Sequence, residues 1–432
     1  MSPELIGILG LLLLFTALAA GMPIGFALGV VGIGGFAAII GADAAATKLA
    51  VSSFHTISSL ELGSLPLFLL MAQVLFSAGI SRDLYVLAAR CIGHWRGGLA
   101  MATIAGCAGF GAVSSSSLAT AATMGLVALP EMKARGYAPS LAAGSVAAGG
   151  TLGSMIPPSG MLIVYGVLTE QSIGKLFAAG VIPGLLQAFF YIAAIMILCR
   201  RRPELGPPGP RYSWRERWAA AQKIGDMLLL LLLVIGGLIG GLFTATESGA
   251  VGAAGAIALG VIRQRLSWTG FREALQQTLR TSGMIYAVLI GAFLFAYFMA
   301  ASEIPAGLAA LVGSLQVHPL VIVLCMVLCL FVLGSFLDAV AMMTLTLPVF
   351  FPIVEQLGLS PVWFGIIMVR LQETALITPP MGMNIFVVSG LQQGIPLPVV
   401  YRGVLPFLLA DIPHVLLLVL VPAVALFLPG LM

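Results

Sequence analysis

Apolar runs follow one another along this sequence with hardly a polar break, at about 5–20, 23–40, 62–80, 141–168, 177–199, 227–243, 247–262, 284–301, 361–388 and 404–428. About 20 consecutive apolar residues form a helix that crosses the hydrocarbon of a bilayer, so the runs predict an all-α integral membrane protein with ten crossings. A soluble alternative needs a polar coat. This chain is 60% hydrophobic and 8% charged, where soluble domains carry about 25% charged residues. The first run, from Leu5 to Ala20, follows Met1-Ser2-Pro3-Glu4 without a Lys or Arg, and apolar sequence resumes at once through Ile40. It reads as the first membrane segment and not as a cleaved leader.

Two further stretches, about 98–135 and 319–357, are apolar at both ends and polar or glycine-rich between. Their middles read Ser114-Ser115-Ser116-Ser117 and Gly334-Ser335-Phe336-Leu337-Asp338. Backbone that leaves a helix at membrane depth is tolerated only inside protein or against a cavity. Both stretches are therefore expected to be re-entrant hairpins whose tips meet near the bilayer centre.

The basic residues orient this map. With the N-terminus outside and each hairpin returning to its own side, all 20 Lys and Arg except Lys48, Lys175 and Arg370 fall on the inner face. That is the asymmetry of the positive-inside rule, and it places both termini outside. The basic stretch 200–226 contains Trp214 and Trp218 and suits a connector helix at the membrane surface. It has no nucleic-acid recognition module.

A single offset of 222 residues carries Pro130 onto Pro352, Gly136 onto Gly358, Pro139 onto Pro361, Pro157-Pro158 onto Pro379-Pro380 and Gly160-Met161 onto Gly382-Met383. The same offset lays Ser116 on Asp338. Two copies follow, 1–199 and 227–432. An odd number of crossings between them inverts the second. Inverted repeats with interrupted helices are a transporter pattern, because two similar halves can exchange conformations and open one site to either face.

Mid-span proline pairs remove backbone donors, so Gly153-Ser154-Met155-Ile156-Pro157-Pro158-Ser159-Gly160 and the segment from Glu373 to Asn384 are expected to be broken helices. Free carbonyls suit a small cation and free N–H groups an anion. The candidate ion and substrate residues are Ser114, Ser115, Ser116, Ser117, Thr151, Pro157, Pro158 and Ser159 in the first copy. Gly334, Asp338, Arg370, Glu373, Thr374, Thr378, Pro379, Pro380 and Asn384 are their counterparts in the second. About two small-cation sites are expected, one at Ser114, Ser116 and Thr151 and one at Gly334, Asp338 and Thr378.

Arg370 and Glu373 are opposite charges three residues apart within a span. A charge there is costly, and it is paired or functional. Two readings stand: a structural ion pair, or Arg370 attracting a substrate carboxylate. Glu247 beside Thr244 and Thr246 suits gating or packing equally. The five cysteines and four histidines show no zinc-site spacing. The serines have no His and carboxylate partners in reach for hydrolysis, and no phosphate-binding loop is present, so an enzyme is not expected.

Gly97-Gly98-Leu99-Ala100, the run Pro130 to Tyr137, Ile156-Pro157-Pro158-Ser159, Val164-Tyr165-Gly166, Phe336-Leu337-Asp338 and the run Ile377 to Phe386 together resemble the large membrane subunit, DctM-like, of the tripartite ATP-independent periplasmic (TRAP) transporters. The resemblance spans nearly the whole chain. It implies an elevator-type, sodium-driven importer of an organic acid in a bacterial or archaeal cytoplasmic (inner) membrane. It also implies a periplasmic substrate-binding protein and a separate small four-helix membrane subunit as partners, within membrane lipids. The family pattern often has glycine at the position of Ser115, where serine tolerates positive φ poorly. A self-sufficient ion-coupled carboxylate carrier and a non-transporting membrane scaffold remain as alternatives.

Overall fold

The computed structural model describes residues 2–314, 317–391 and 394–432; Met1 lies outside them. The described residues are helical, with no strand among them. In the first half run α1 (Pro3–Ala19), α2 (Ile24–Ile40), α3 (Ala42–Ser58), α4 (Ser64–Ser77), α5 (Ile80–Ile92), α6 (Gly98–Ser114), α7 (Ser117–Ala134), α8 (Pro139–Gly150), α9 (Gly160–Leu168) and α10 (Ile173–Arg201). The second half has α11 (Trp214–Ile239), α12 (Ala245–Ile262), α13 (Trp268–Ala301), α14 (Ile304–Ser314), α15 (Pro319–Gly334), α16 (Ala339–Gln356), α17 (Pro361–Ala375), α18 (Met383–Gly390) and α19 (Leu397–Leu420).

Six of these helices, α10, α11, α12, α13, α16 and α19, are at least 18 residues long and apolar enough to cross a membrane; with the pair α4–α5, bent by 67°, the number reaches seven. Helix α16 lies within the stretch 319–357 expected as a hairpin; the remaining expected spans are met by the 17-residue helices α1 and α2 and by two helices interrupted at their proline pairs. Leu12, Leu13, Phe26, Leu229 and Leu232 are more than half exposed. A surface of that kind is at home against hydrocarbon and not against water.

The offset of 222 extends well beyond the punctuation that revealed it. It sets α7 on α16 residue for residue, α2 on α12 and α9 on α18 within a residue, and α6 and α8 on the starts of α15 and α17 to within one. Packing obeys the same exchange. Helix α2 lies on α13 as α4 lies on α12; α8 meets α18 as α17 meets α9; α7 meets α18 as α16 meets α9.

The copies differ where their local sequence does. Ser59-Leu60-Glu61-Leu62-Gly63 interrupts α3 and α4, whereas the matching stretch of α13 is unbroken over 34 residues and starts well before the expected span at 284. The expected connector 200–226 holds the end of α10, a short 3-10 turn at Pro203–Leu205 and the first half of α11, which starts on a Ser213–Glu216 capping box. Glu247 has the same task at α12: its carboxylate accepts from the Thr244 backbone N–H at 2.8 Å and the Thr244 hydroxyl at 2.9 Å, and it acts as a cap.

Candidate functional site

Helices α6 and α7 form the first hairpin, and its tip is built by serines. Ser115 takes the left-handed conformation with φ +52°, which costs a residue with a Cβ about 1–2 kcal/mol. Its hydroxyl donates to the Pro158 carbonyl at 2.8 Å, an anchor that glycine would lack. Ser116 caps α7 by accepting from the Ala119 N–H. The Ser114 hydroxyl pairs with Thr120 and with the Ser116 carbonyl. Tip and broken helix approach closely because Gly153 has no side chain; a Cβ there would lie 2.7 Å from the Ser116 carbonyl oxygen.

Between α8 and α9 the chain passes through a 3-10 turn at Thr151–Gly153 and the pair Pro157-Pro158 before Ser159 caps α9 by accepting from the Leu162 N–H at 3.3 Å. The second copy repeats the plan with other side chains. Asp338 occupies the Ser116 position and caps α16 by accepting from the Ala341 N–H at 2.9 Å. Helix α17 ends at Ala375, Pro379-Pro380 follow, and Gly382 opens α18 at φ +57°, the glycine freedom expected there. Ala375 replaces Gly153 in the offset, and the small residue moves to the hairpin: a Cβ on Gly334 would lie 2.8 Å from the Ala375 Cβ. The second carbonyl of each proline pair has a donor, Ser115 on Pro158 and the Tyr401 hydroxyl on Pro380 at 2.7 Å.

Both tips and both breaks face one cavity of about 540 Å3. Ser115, Ser116 and Ser117 line it from one hairpin and Asp338 from the other, with Ser154 and Glu373 from the two breaks. Helices α2 and α13 close the far wall through Pro23–Phe26 and Met284–Val288. Among the described residues that line it there is no Lys or Arg. The copies are joined across it: Ser117 donates to Glu373, which is fully buried, and hydrogen-bonds Ser154 at 2.9 Å. The second carboxylate oxygen of Glu373 has no hydrogen-bond partner.

The expected pairing of Arg370 is corrected. Its guanidinium turns from Glu373 to α19, where it forms an ion pair with Asp411 and donates to His414 Nδ1 at 2.9 Å. Among the described residues Asp411 pairs with no other cation, while Glu373 is engaged by Ser117 on the cavity side. Arg370 is fully buried and does not line the cavity. Asp411 and His414 were missed in the sequence. The available signal was two polar residues three apart in the apolar run 404–428.

The other candidates divide. Thr151 lies in a buried cluster with Gln187, which donates to its hydroxyl at 2.8 Å, and Tyr191; none of its hydrogen bonds reaches Ser114 or Ser116. The Thr374 and Thr378 hydroxyls donate to the carbonyls of Arg370 and Thr374 one turn back. The Asn384 amide donates to the Ala147 carbonyl of the first copy at 3.1 Å, and its own carbonyl oxygen is buried without a partner. Hard cations take oxygen ligands, and the first tip presents hydroxyl oxygens to the cavity while the second presents the Asp338 carboxylate.

Against known proteins, residues 11–424 match the family described as tripartite ATP-independent periplasmic transporter, DctM component. The C4-dicarboxylate TRAP transporter large permease protein DctM of Pseudomonas aeruginosa is 39% identical over 386 residues, 89% of each chain. The sialic acid TRAP transporter large permease protein SiaM of Vibrio cholerae is 33% identical over 416 residues, 96% of each chain. Among solved structures, the Alcanivorax borkumensis YdaH transporter aligns with a TM-score of 0.65 over 88% of this chain and 89% of that one; at 16% identity the likeness is one of fold.

Proposed function

This chain belongs to the DctM component family of tripartite ATP-independent periplasmic transporters, and from that premise we propose that it carries an organic acid inward with sodium ions, after an extracytoplasmic binding protein has delivered it. It is a multi-pass transport permease and not an enzyme. The finer reading has an inner-membrane location, termini outside and a separate small membrane subunit. It also takes the hairpins as re-entrant and the repeats 1–199 and 227–432 as inverted around the connector 200–226.

One observation carries the sodium reading. The cavity between the hairpin tips holds Asp338 and Glu373 and, among the described residues, no basic side chain. Two like charges 4 Å apart repel by about 4 kcal/mol at an effective dielectric of 20. A carboxylate substrate thus needs cations beside it, and small cations brought with it meet hydroxyl oxygens at the first tip and a carboxylate at the second. Coupling then follows from electrostatics: the acid binds well only when the cations are present, and by linkage the cations bind better with the acid. Two similar copies exchanging conformations would open this cavity to either face, and movement of one part of the molecule past the other, elevator fashion, is the motion proposed.

The test is uptake of C4-dicarboxylates and other small organic acids into proteoliposomes holding the chain with its small subunit. An inward sodium gradient and the binding protein should both be required. Uptake driven by a proton gradient without sodium overturns the coupling, and uptake without the binding protein identifies a self-sufficient carrier.

A further inference from the structure

A second cavity, of about 640 Å3, lies where the ends of α7, α8, α10 and α19 come together. Lys133, Arg202 and Arg402 stand around it, and among the described residues no Asp or Glu lines it. Among the described residues none of these three cations forms an ion pair. Helices α8 and α19 start here at Pro139 and Leu397 without a side-chain cap, so their positive ends add to the field. All three cations belong to the basic face that the positive-inside rule assigns to the cytoplasm.

The repeat shows that this charge is no by-product of the shared fold. At the offset of 222, Lys133 corresponds to Glu355, Arg202 to Val424 and Arg402 to Gly180. Tyr137 and Ser140 apart, the rest of the wall is apolar, with Leu129, Leu198 and Val399. On α19, Val399, Arg402, Pro406 and Leu409 follow one face at helical spacing; the first three line the cavity, and Leu409 one turn on is 66% exposed. Cations at the membrane surface thus grade into an apolar strip along a long apolar helix.

We propose that this pocket is a site for an anionic phospholipid of the cytoplasmic leaflet, its phosphate among Lys133, Arg202 and Arg402 and an acyl chain along the exposed strip of α19. A small soluble anion would use the charges and leave the apolar wall unused. Basic pockets between membrane helices on the cytoplasmic side are suited to such headgroups. The assignment is independent of what the central cavity carries.

Native mass spectrometry of the purified protein, titrated with phosphatidylglycerol, phosphatidylcholine or inorganic phosphate, tests it. Phosphatidylglycerol should be retained and phosphatidylcholine lost. The triple variant Lys133→Gln, Arg202→Gln, Arg402→Gln should weaken phosphatidylglycerol binding about a hundredfold, and Arg402→Gln alone about fivefold. Arg272→Gln with Arg280→Gln, basic residues elsewhere, should change nothing. Equal retention of the two lipids, or an unchanged affinity in Arg402→Gln and the triple variant, overturns the proposal. Displacement of phosphatidylglycerol by millimolar inorganic phosphate also overturns it, as the mark of a soluble-anion site.

Discussion

Ser117, in the first turn of α7, donates a hydrogen bond to Glu373 near the end of α17, and so ties the hairpin of one repeat to the broken helix of the other. Offset pairs Glu373 with Thr151 and Ser117 with Ala339, so nothing equivalent joins the copies at the mirrored position. The cavity is asymmetric in chemistry although the backbone around it is nearly symmetric.

That asymmetry makes Glu373 the most informative position to alter. Glu373→Gln retains a carbonyl that accepts from Ser117 and removes the ionisable carboxyl. Interactions of a charged group contribute about 1.5–3 kcal/mol, so the sodium concentration for half-maximal uptake should rise about ten- to a hundredfold. Expression and melting temperature should stay near those of the parent. An unchanged sodium titration in proteoliposomes would remove Glu373 from the ion site.

Asp338 combines two tasks that substitution can separate. As the N-cap of α16 it is replaceable by Asn, whereas Ala costs about 1 kcal/mol of stability. As the carboxylate of its tip it is not replaceable by either. Asp338→Asn and Asp338→Ala are therefore expected to lower sodium affinity alike, and only Asp338→Ala to lower the melting temperature. If Asp338→Asn transports with the parent's sodium dependence, the residue is a cap and nothing more.

Proline and glycine made most of this architecture legible in the sequence. Pro157-Pro158, Pro379-Pro380 and the tips at Ser114–Ser117 and Gly334–Asp338 mark backbone that leaves a helix, and each mark is local. Pairing between distant helices has no local mark. Arg370 could be matched by eye to Glu373 three residues on, but its partner Asp411 lies 41 positions away. Thr151 groups with the serines of the tip only by polarity; Gln187 and Tyr191, one turn apart on α10, claim it instead. Helix α3 falls between the expected spans because Asp43, Lys48 and His55 interrupt its apolar sequence.

Ser115 stands where positive φ favours glycine, so its backbone strain and its bond to Pro158 oppose each other. Ser115→Gly relieves about 1–2 kcal/mol of strain and loses a hydrogen bond worth about 1 kcal/mol. The net change in stability should be small, and the tip should be less firmly held to the proline break. Ser115→Val keeps the strain, adds a branched side chain and removes the bond, and should lower the melting temperature clearly. A Ser115→Gly variant that melts well below the parent would show that the bond to Pro158 outweighs the strain.

For Arg370 and Asp411 the question is whether the pair supports the fold or holds substrate, and a double-mutant cycle separates the two. Removing one member strands a buried charge at a cost of about 3–5 kcal/mol, while replacing both with apolar residues of similar volume is often neutral. Arg370→Met and Asp411→Leu should each depress the melting temperature and the yield, and the double variant should recover most of the loss. Because Arg370 lies outside the cavity wall, the recovered double variant should take up the acid with a half-saturation within about threefold of the parent, well under the tenfold that 1.4 kcal/mol represents. Additive losses would deny the structural pair, and a stable double variant that no longer binds the acid would return Arg370 to the substrate.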